Sequence, residues 1–114
     1  MIASIQGLVQ AKDQDRIIVN VSGLGFEVFV PKQVADDVVV GKDTFLHTYF
    51  HVRENFMALY GFENQEQREL FLMLLDVNGV GPKASMATLS TLSIDTVRSA
   101  VVSEEAAVFS RVPG

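Results

Sequence analysis

The stretch Leu59-Tyr60-Gly61-Phe62-Glu63-Asn64-Gln65-Glu66-Gln67-Arg68-Glu69-Leu70-Phe71 holds the change on which the fold turns. Before Gly61 the chain runs in short β-branched and aromatic segments broken by turn residues; after it, apolar residues recur at helical spacing. Asn64 can cap a helix, with Gln67 three residues on to reach back in a capping-box arrangement. Leu70, Phe71, Leu74 and Leu75 then fall on one helical face. A chain that is all β before this point and all α after it is an α+β protein, with expected domains over residues 1–62 and 63–114.

Reading backwards from Gly61, a fifth strand covers Phe56 to Tyr60 and a fourth Thr44 to Val52. Phe26 to Val30 is a third, ended by Pro31, and Arg16 to Val21 a second; the first lies within Ile2 to Ala11. The turns are Lys12-Asp13-Gln14-Asp15 and Ser22-Gly23-Leu24-Gly25, and Lys32 to Asp43 reads as a longer connection closed by Gly41. Five short strands with one longer connection predict a small closed barrel of OB type, in which no strand is left as an exposed edge. Reading forwards, the first helix should end near Asp76 to Asn78, and Pro82 suits the first turn of the next. Ser93 can cap a third short helix carrying Ile94, Val97, Ala100 and Val101. Ser103 can cap a fourth carrying Ala106, Ala107 and Phe109.

Composition removes several classes of function. With 114 residues, 48% hydrophobic and 20% charged, the chain has the makings of a core and lacks the composition of a disordered segment. It has no cysteine, hence no disulfide framework, cysteine nucleophile or thiolate zinc site. Its first residues do not read as a secretory leader, and no apolar run approaches the roughly 20 residues that span a bilayer. We therefore expect a soluble cytoplasmic protein without a membrane partner. The net charge of −5 speaks weakly against nucleic acid, because phosphate binding is usually driven by basic surface. Segment 77 to 102 runs against that trend, with Lys83 and Arg98 facing Asp95 alone.

The segment Val77-Asn78-Gly79-Val80-Gly81-Pro82-Lys83-Ala84-Ser85-Met86-Ala87 carries the most chemistry. Two glycines flank one apolar residue, and a proline opens a helix whose first N–H groups are unpaired and whose dipole is positive at that end. Such a turn is an anion site: a phosphate fits against the N–H groups between Gly79 and Gly81, with Lys83 adding charge and backbone donors leaving the formal charge unaltered. Val80 should point inward against Leu75 and Ala84, with Ala84 and Ala87 allowing close helix packing. On the residues alone, a tight helix–helix turn is the plainer reading.

Other constellations are weaker. Arg53-Glu54-Asn55 reads as a solvated hairpin tip. His47 and His51 lie in a β-rich run, so they share one strand face with Tyr49 between them, and a strand is a poor frame for a two-histidine metal site. Gly23-Leu24-Gly25 lacks the third glycine of a dinucleotide fingerprint. Phe26, Phe29, Phe50 and Tyr60 are core residues by default. No Ser/His/Asp grouping emerges, and Lys83 is followed by Ala84 where a magnesium-holding Ser or Thr would stand, so we expect no catalytic residue, metal or cofactor.

Taken together, several blocks resemble the RuvA family along the whole chain. They are Met1-Ile2 with Gly7, Gly23-Leu24-Gly25-Phe26-Glu27-Val28, Val52-Arg53-Glu54, Leu59-Tyr60-Gly61-Phe62, Arg68-Glu69-Leu70-Phe71, Asn78-Gly79-Val80-Gly81-Pro82-Lys83 and Arg111-Val112-Pro113-Gly114. Val77 to Ala87 looks like a helix-hairpin-helix, a motif that grips DNA backbone without reading bases. The resemblance implies an OB-like barrel followed by a helical domain with two such motifs. It implies a homotetramer that holds four-way Holliday junctions open, and a non-catalytic role beside the RuvB motor ATPase, with the RuvC resolvase as a further partner, in recombination and repair. Carried over, the DNA-binding positions are Asn78, Gly79, Val80, Gly81, Pro82 and Lys83, with Gly114 opening a second hairpin at Val112-Pro113-Gly114. Glu54 and Asn55 match the acidic pin at the crossover, with Asn55 standing where a second acid is frequent. The resemblance leads us to expect a truncated chain, lacking the rest of the second hairpin and the motor-recruiting domain, with weak junction binding on its own. The alternative is a self-association or protein-interaction module without DNA.

Overall fold

The computed structural model describes the backbone of residues 1–111 and the side chains as far as Ser103. The chain divides into two compact units, the first Met1–Arg68 and the second beginning at Glu69. In the first unit, β1 (Ser4–Lys12), β2 (Arg16–Val21), β3 (Leu24–Phe29), β4 (Asp43–Arg53) and β5 (Phe56–Phe62) close a barrel in the order β1-β2-β3-β5-β4, with β4 returning to β1. Every pairing is antiparallel except β3 with β5. This is the expected OB-like barrel.

Alternation along the strands sends Ile5, Ile17, Val19, Val28, Leu46 and Leu59 into one buried cluster. A five-stranded barrel is narrow, and Gly61 shows how narrow: a Cβ there would stand 2.7 Å from Val28 Cγ1 and 2.9 Å from Leu46 Cδ1. The connection after β3 contains a helix the sequence pattern does not announce, α1 (Lys32–Asp37), whose Val34 and Ala35 join the barrel core. Six residues are too few to display a helical period, which is why Lys32 to Asp43 reads as an irregular connection.

Thr48 is a joint of this unit. It is fully buried, its Oγ1 donates to the Ile2 carbonyl at 2.7 Å and its N–H to the Ala3 carbonyl at 2.9 Å. Its own carbonyl accepts from Arg68 Nε at 2.7 Å. The N-terminal residues, β4 and the first turn of the next helix are thus held through one threonine.

That helix, α2 (Gln65–Asp76), begins as the sequence suggests, with Gln67 N–H donating to Asn64 Oδ1 at 2.9 Å. The Gln67 side chain reaches back one residue further than in the usual box and accepts from Glu63 N–H at 2.9 Å. α3 (Pro82–Thr91) and α4 (Ile94–Arg111) follow, and among the described residues of this region Leu70, Phe71, Leu74, Leu89, Val97 and Val101 are buried. Ser93 caps α4 through the Thr96 N–H at 3.2 Å. The separate fourth helix expected at Ser103 is absent: α4 runs unbroken from Ile94 to Arg111, because nothing in that span is a glycine or proline and a serine is tolerated inside a helix. Among the described residues no helix is long and apolar enough to cross a membrane.

Candidate nucleic-acid interface

The turn between α2 and α3 is built from short backbone hydrogen bonds. Val77 N–H donates to the Leu74 carbonyl and Val80 N–H to the Val77 carbonyl, both at 3.1 Å, and Gly79 takes φ +86°, which glycine adopts without the cost an L side chain would bear. Gly81 is the N-cap of α3, extended at φ −95° and ψ 179°, with no side chain capping the helix. Pro82 occupies the first turn, where a missing N–H costs nothing. Lys83 and Ala84 lie too early in α3 to find a helical carbonyl four residues back, so their N–H groups belong to the unpaired set at a helix start.

The carbonyl of Gly81 is held from behind by Ser85, whose N–H and Oγ both donate to it, at 3.0 and 2.9 Å. Ser85 is fully buried, so the turn is braced from inside while its outer surface stays open. Asn78, Gly79, Gly81 and Lys83 are exposed, and Val80 and Pro82 half-buried. Arg98 is engaged by Asp95 at 2.8 Å, and Lys83 lies exposed in the first turn of α3. The expected close-packing face at Ala84 and Ala87 is corrected: both are exposed, and α3 buries Ser85 and Leu89 instead. The reason is register, since Ser85 and Leu89 are four apart on one stripe and the alanines flank it.

Gly79 and Gly81 differ in kind. A Cβ at either meets nothing within 4 Å, but Gly79 has a positive φ and Gly81 does not. The backbone therefore explains Gly79, whereas nothing in the described residues requires glycine at 81 beyond the mild preference of an N-cap. Gly114, expected to open a second hairpin with Val112 and Pro113, lies outside the described residues.

The second candidate region is the tip of the β4–β5 hairpin. Arg53 pairs with Phe56 across a two-residue turn, Glu54-Asn55, and all four side chains are exposed. Arg53 Nη1 folds back to the Val52 carbonyl at 3.1 Å. Glu54 and Asn55 thus project together, as one carboxylate and one amide.

His47 and His51 share a strand face but not an environment. His47 sits edge-on to Phe45, with ring centroids 5.1 Å apart. His51 is 4% exposed, lies among Tyr49, Phe56 and Tyr60 at 5.8 to 6.3 Å, and its Nδ1 has no hydrogen-bond partner. Burial, helped by the charge of Arg53, pushes its pKa below the ordinary histidine value. Among the described residues no three His, Cys, Asp or Glu side chains converge as a metal site would require. Phe29 packs on Tyr60 at 5.7 Å with the Arg16 guanidinium 5.2 Å over its ring, and burial raises the Tyr60 pKa. Sequence reasoning missed the supporting roles of Ser85 and Arg68. A serine four residues after a helix-opening glycine is a readable signal for the first, whereas the second depends on a long-range contact.

Comparison with known proteins places these two regions in context. A family model described as the RuvA N terminal domain matches residues 1–61, and one described as a SAM-like helix-hairpin-helix tandem matches residues 71–114. Among curated proteins, the Holliday junction branch migration complex subunit RuvA of Chloroflexus aggregans is 44% identical over the whole of this chain, which covers 59% of that protein. The subunits of the same name from Herpetosiphon aurantiacus and Stutzerimonas stutzeri are 40% and 38% identical over the whole chain, which covers 58% and 57% of their lengths. The chain thus spans a little over half the length of these relatives.

Proposed function

The chain belongs to the RuvA family, and from that premise we propose that it binds four-way DNA junctions through the backbone at Asn78 to Lys83, as a non-catalytic part of a branch migration assembly. The observation that carries the reading is Gly81: exposed, at a φ any residue adopts, with open space where a Cβ would stand. Its lack of a side chain serves whatever approaches from outside, and a phosphate oxygen is the group suited to uncapped N–H donors at a helix start. Lys83 adds a positive charge in the same turn. A chain with net charge −5 can bind DNA in this way because backbone donors do the gripping.

The remaining parts of the reading follow the family. The Glu54–Asn55 tip enters the crossover, its single carboxylate repelling phosphates from the point where strands part. Four copies assemble around the junction, and exposed apolar side chains such as Leu8 and Phe45, on neighbouring strands of the barrel wall, are surface available for that contact. The RuvB motor supplies ATP-driven movement and the RuvC resolvase acts on the same junction, in the bacterial cytoplasm. Such binding depends on DNA structure rather than sequence and falls steeply with salt.

Electrophoretic titration of a four-way junction against a duplex of matched arm sequence tests this, at low salt and then at increasing salt. We expect at least tenfold preference for the junction and a linear fall of log affinity with log salt. Equal affinity for both DNAs removes the junction claim. The same Leu8 and Phe45 exposure favours the second reading, a self-association module, which predicts an assembly by light scattering and no DNA binding at any salt.

A further inference from the structure

Beyond the barrel wall the β4–β5 hairpin stands alone. β4 pairs with β1 only through residues 43–47, and β5 with β3 only at Leu59 and Tyr60. From Tyr49 to Arg53 and from Phe56 to Ala58, among the described residues, each strand has only the other as its ladder partner. His51 and Ala58 are still buried at its foot, and beyond them a two-stranded tip projects with an unusual surface: Val52 is 49% exposed, Phe56 50% and Met57 69%. Isolated exposed apolar side chains are ordinary, but three clustered on one projecting turn mark a contact.

The register sorts these side chains by face. Val52 lies opposite Met57 and gives one apolar face; Arg53 lies opposite Phe56 and gives a face that pairs a guanidinium with an aromatic ring. Between them the tip carries Glu54 and Asn55. A ring beside a cation matches the two halves of a nucleotide, base and phosphate. A carboxylate accepts from the exocyclic amine of a base and disfavours phosphate, and an amide can both donate and accept at a base edge.

We propose that Phe56 and Met57, on the two faces of the tip, form a stacking wedge for nucleobases left unstacked at the crossover of a four-way junction, so that the ribbon acts on bases as well as repelling phosphates. This rests on the junction reading above and gives it a ligand: the bases left without stacking partners where four duplexes meet. With an apolar side chain on each face of the tip, Phe56 on one and Met57 on the other, the ribbon offers bases on both sides a partner that replaces the lost stacking and holds the strands apart, which a tip bearing one carboxylate achieves less well by charge alone.

Two four-way junctions test it, one with 2-aminopurine at the crossover and one with 2-aminopurine in the middle of an arm. Each is titrated at low salt with the chain and with its Phe56→Thr/Met57→Thr and Phe56→Trp variants. Threonine keeps β propensity at exposed positions, and circular dichroism checks that the barrel persists; the single Met57→Thr variant, at the most exposed site, stands in if the double variant fails to fold. The wild type should change the crossover emission and leave the arm probe unaltered. The double variant should bind the junction within about threefold of wild type, since the phosphate contacts remain, yet lose at least half of the crossover signal, whereas Phe56→Trp should keep it. Wild-type crossover emission from the double variant, with junction binding intact, overturns the wedge and leaves the junction reading standing. Equal binding of junction and duplex by the wild type overturns the reading beneath it. Loss of assembly mass in the double variant by light scattering assigns the ribbon to a second copy of the chain and overturns the wedge as well.

Discussion

Glycines in the barrel wall and glycines in the α2–α3 turn answer to different causes. At Gly7 a Cβ would collide with the Asn20 carbonyl of the paired strand, and at Gly61 it would press on Val28 and Leu46; each is required by the fold around it. At Gly81 a Cβ would meet nothing, and the backbone is ordinary. A glycine that the surrounding structure explains says nothing about ligands, whereas one left unexplained points outward. The largest effect should therefore fall in the wall. We expect Gly7→Ala to cost about 3 kcal/mol, the upper end for overpacking, because the obstructing atom is backbone and cannot swing aside. Urea denaturation measures it, and a loss under about 1 kcal/mol would show that β1 and β2 separate more easily than their register implies.

The next effect concerns the bond between Arg68 and Thr48 within the first unit. Arg68→Met keeps the length of the side chain and deletes the charge-assisted bond to the Thr48 carbonyl, for an expected loss of about 1.5–2 kcal/mol. Thr48 keeps its bonds to Ile2 and Ala3, so the unfolding transition should stay single. In the turn the pattern should invert. Gly81→Leu should leave the denaturation midpoint near wild type and, on the proposed reading in which a phosphate approaches there, weaken junction binding at least tenfold, equivalent to about 1.4 kcal/mol. Gly79→Ala instead places a side chain at φ +86° and should lose about 1 kcal/mol of stability. A Gly81→Leu chain that binds junctions normally would make the turn structural and erase the contrast with the wall.

How far the sequence discloses all this depends on whether a feature is local. The change of period at Gly61, the Asn64 cap and the barrel strands could be read because each is set by neighbours within a few residues, and the glycine-flanked turn because Gly, Pro and a short apolar residue constrain backbone directly. α1 escaped because six residues give no period, and the length of α4 because Ser103 offers a cap that the helix does not use. Ser85 and Leu89, not the alanines, face inward, which requires knowing the rotation of α3 about its axis. The projecting ribbon is the least legible of all. In the sequence Phe56 and Met57 are simply the start of the fifth strand, and only the ladder partners beyond them show that β4 and β5 have left the wall.

The smallest effect is pH-dependent and tests whether the foot of that ribbon belongs to the barrel's rigid part. His51 is buried among aromatic rings with Nδ1 unpartnered, and its pKa is lowered by burial first and by Arg53 second. A base with a lowered folded pKa is protonated more readily in the unfolded chain. Its contribution to stability is therefore whole above the unfolded value of about 6.5 and is lost as pH falls through the lower folded value. Replacing His51 by Phe removes both the titration and the unpartnered atom, so stability measured between pH 7.5 and 5.5 should flatten relative to wild type, with a gain under about 1 kcal/mol at the upper end. If the slope survives the substitution, His51 is reached by solvent in the folded chain, and the ribbon must open at its foot as well as stand free at its tip.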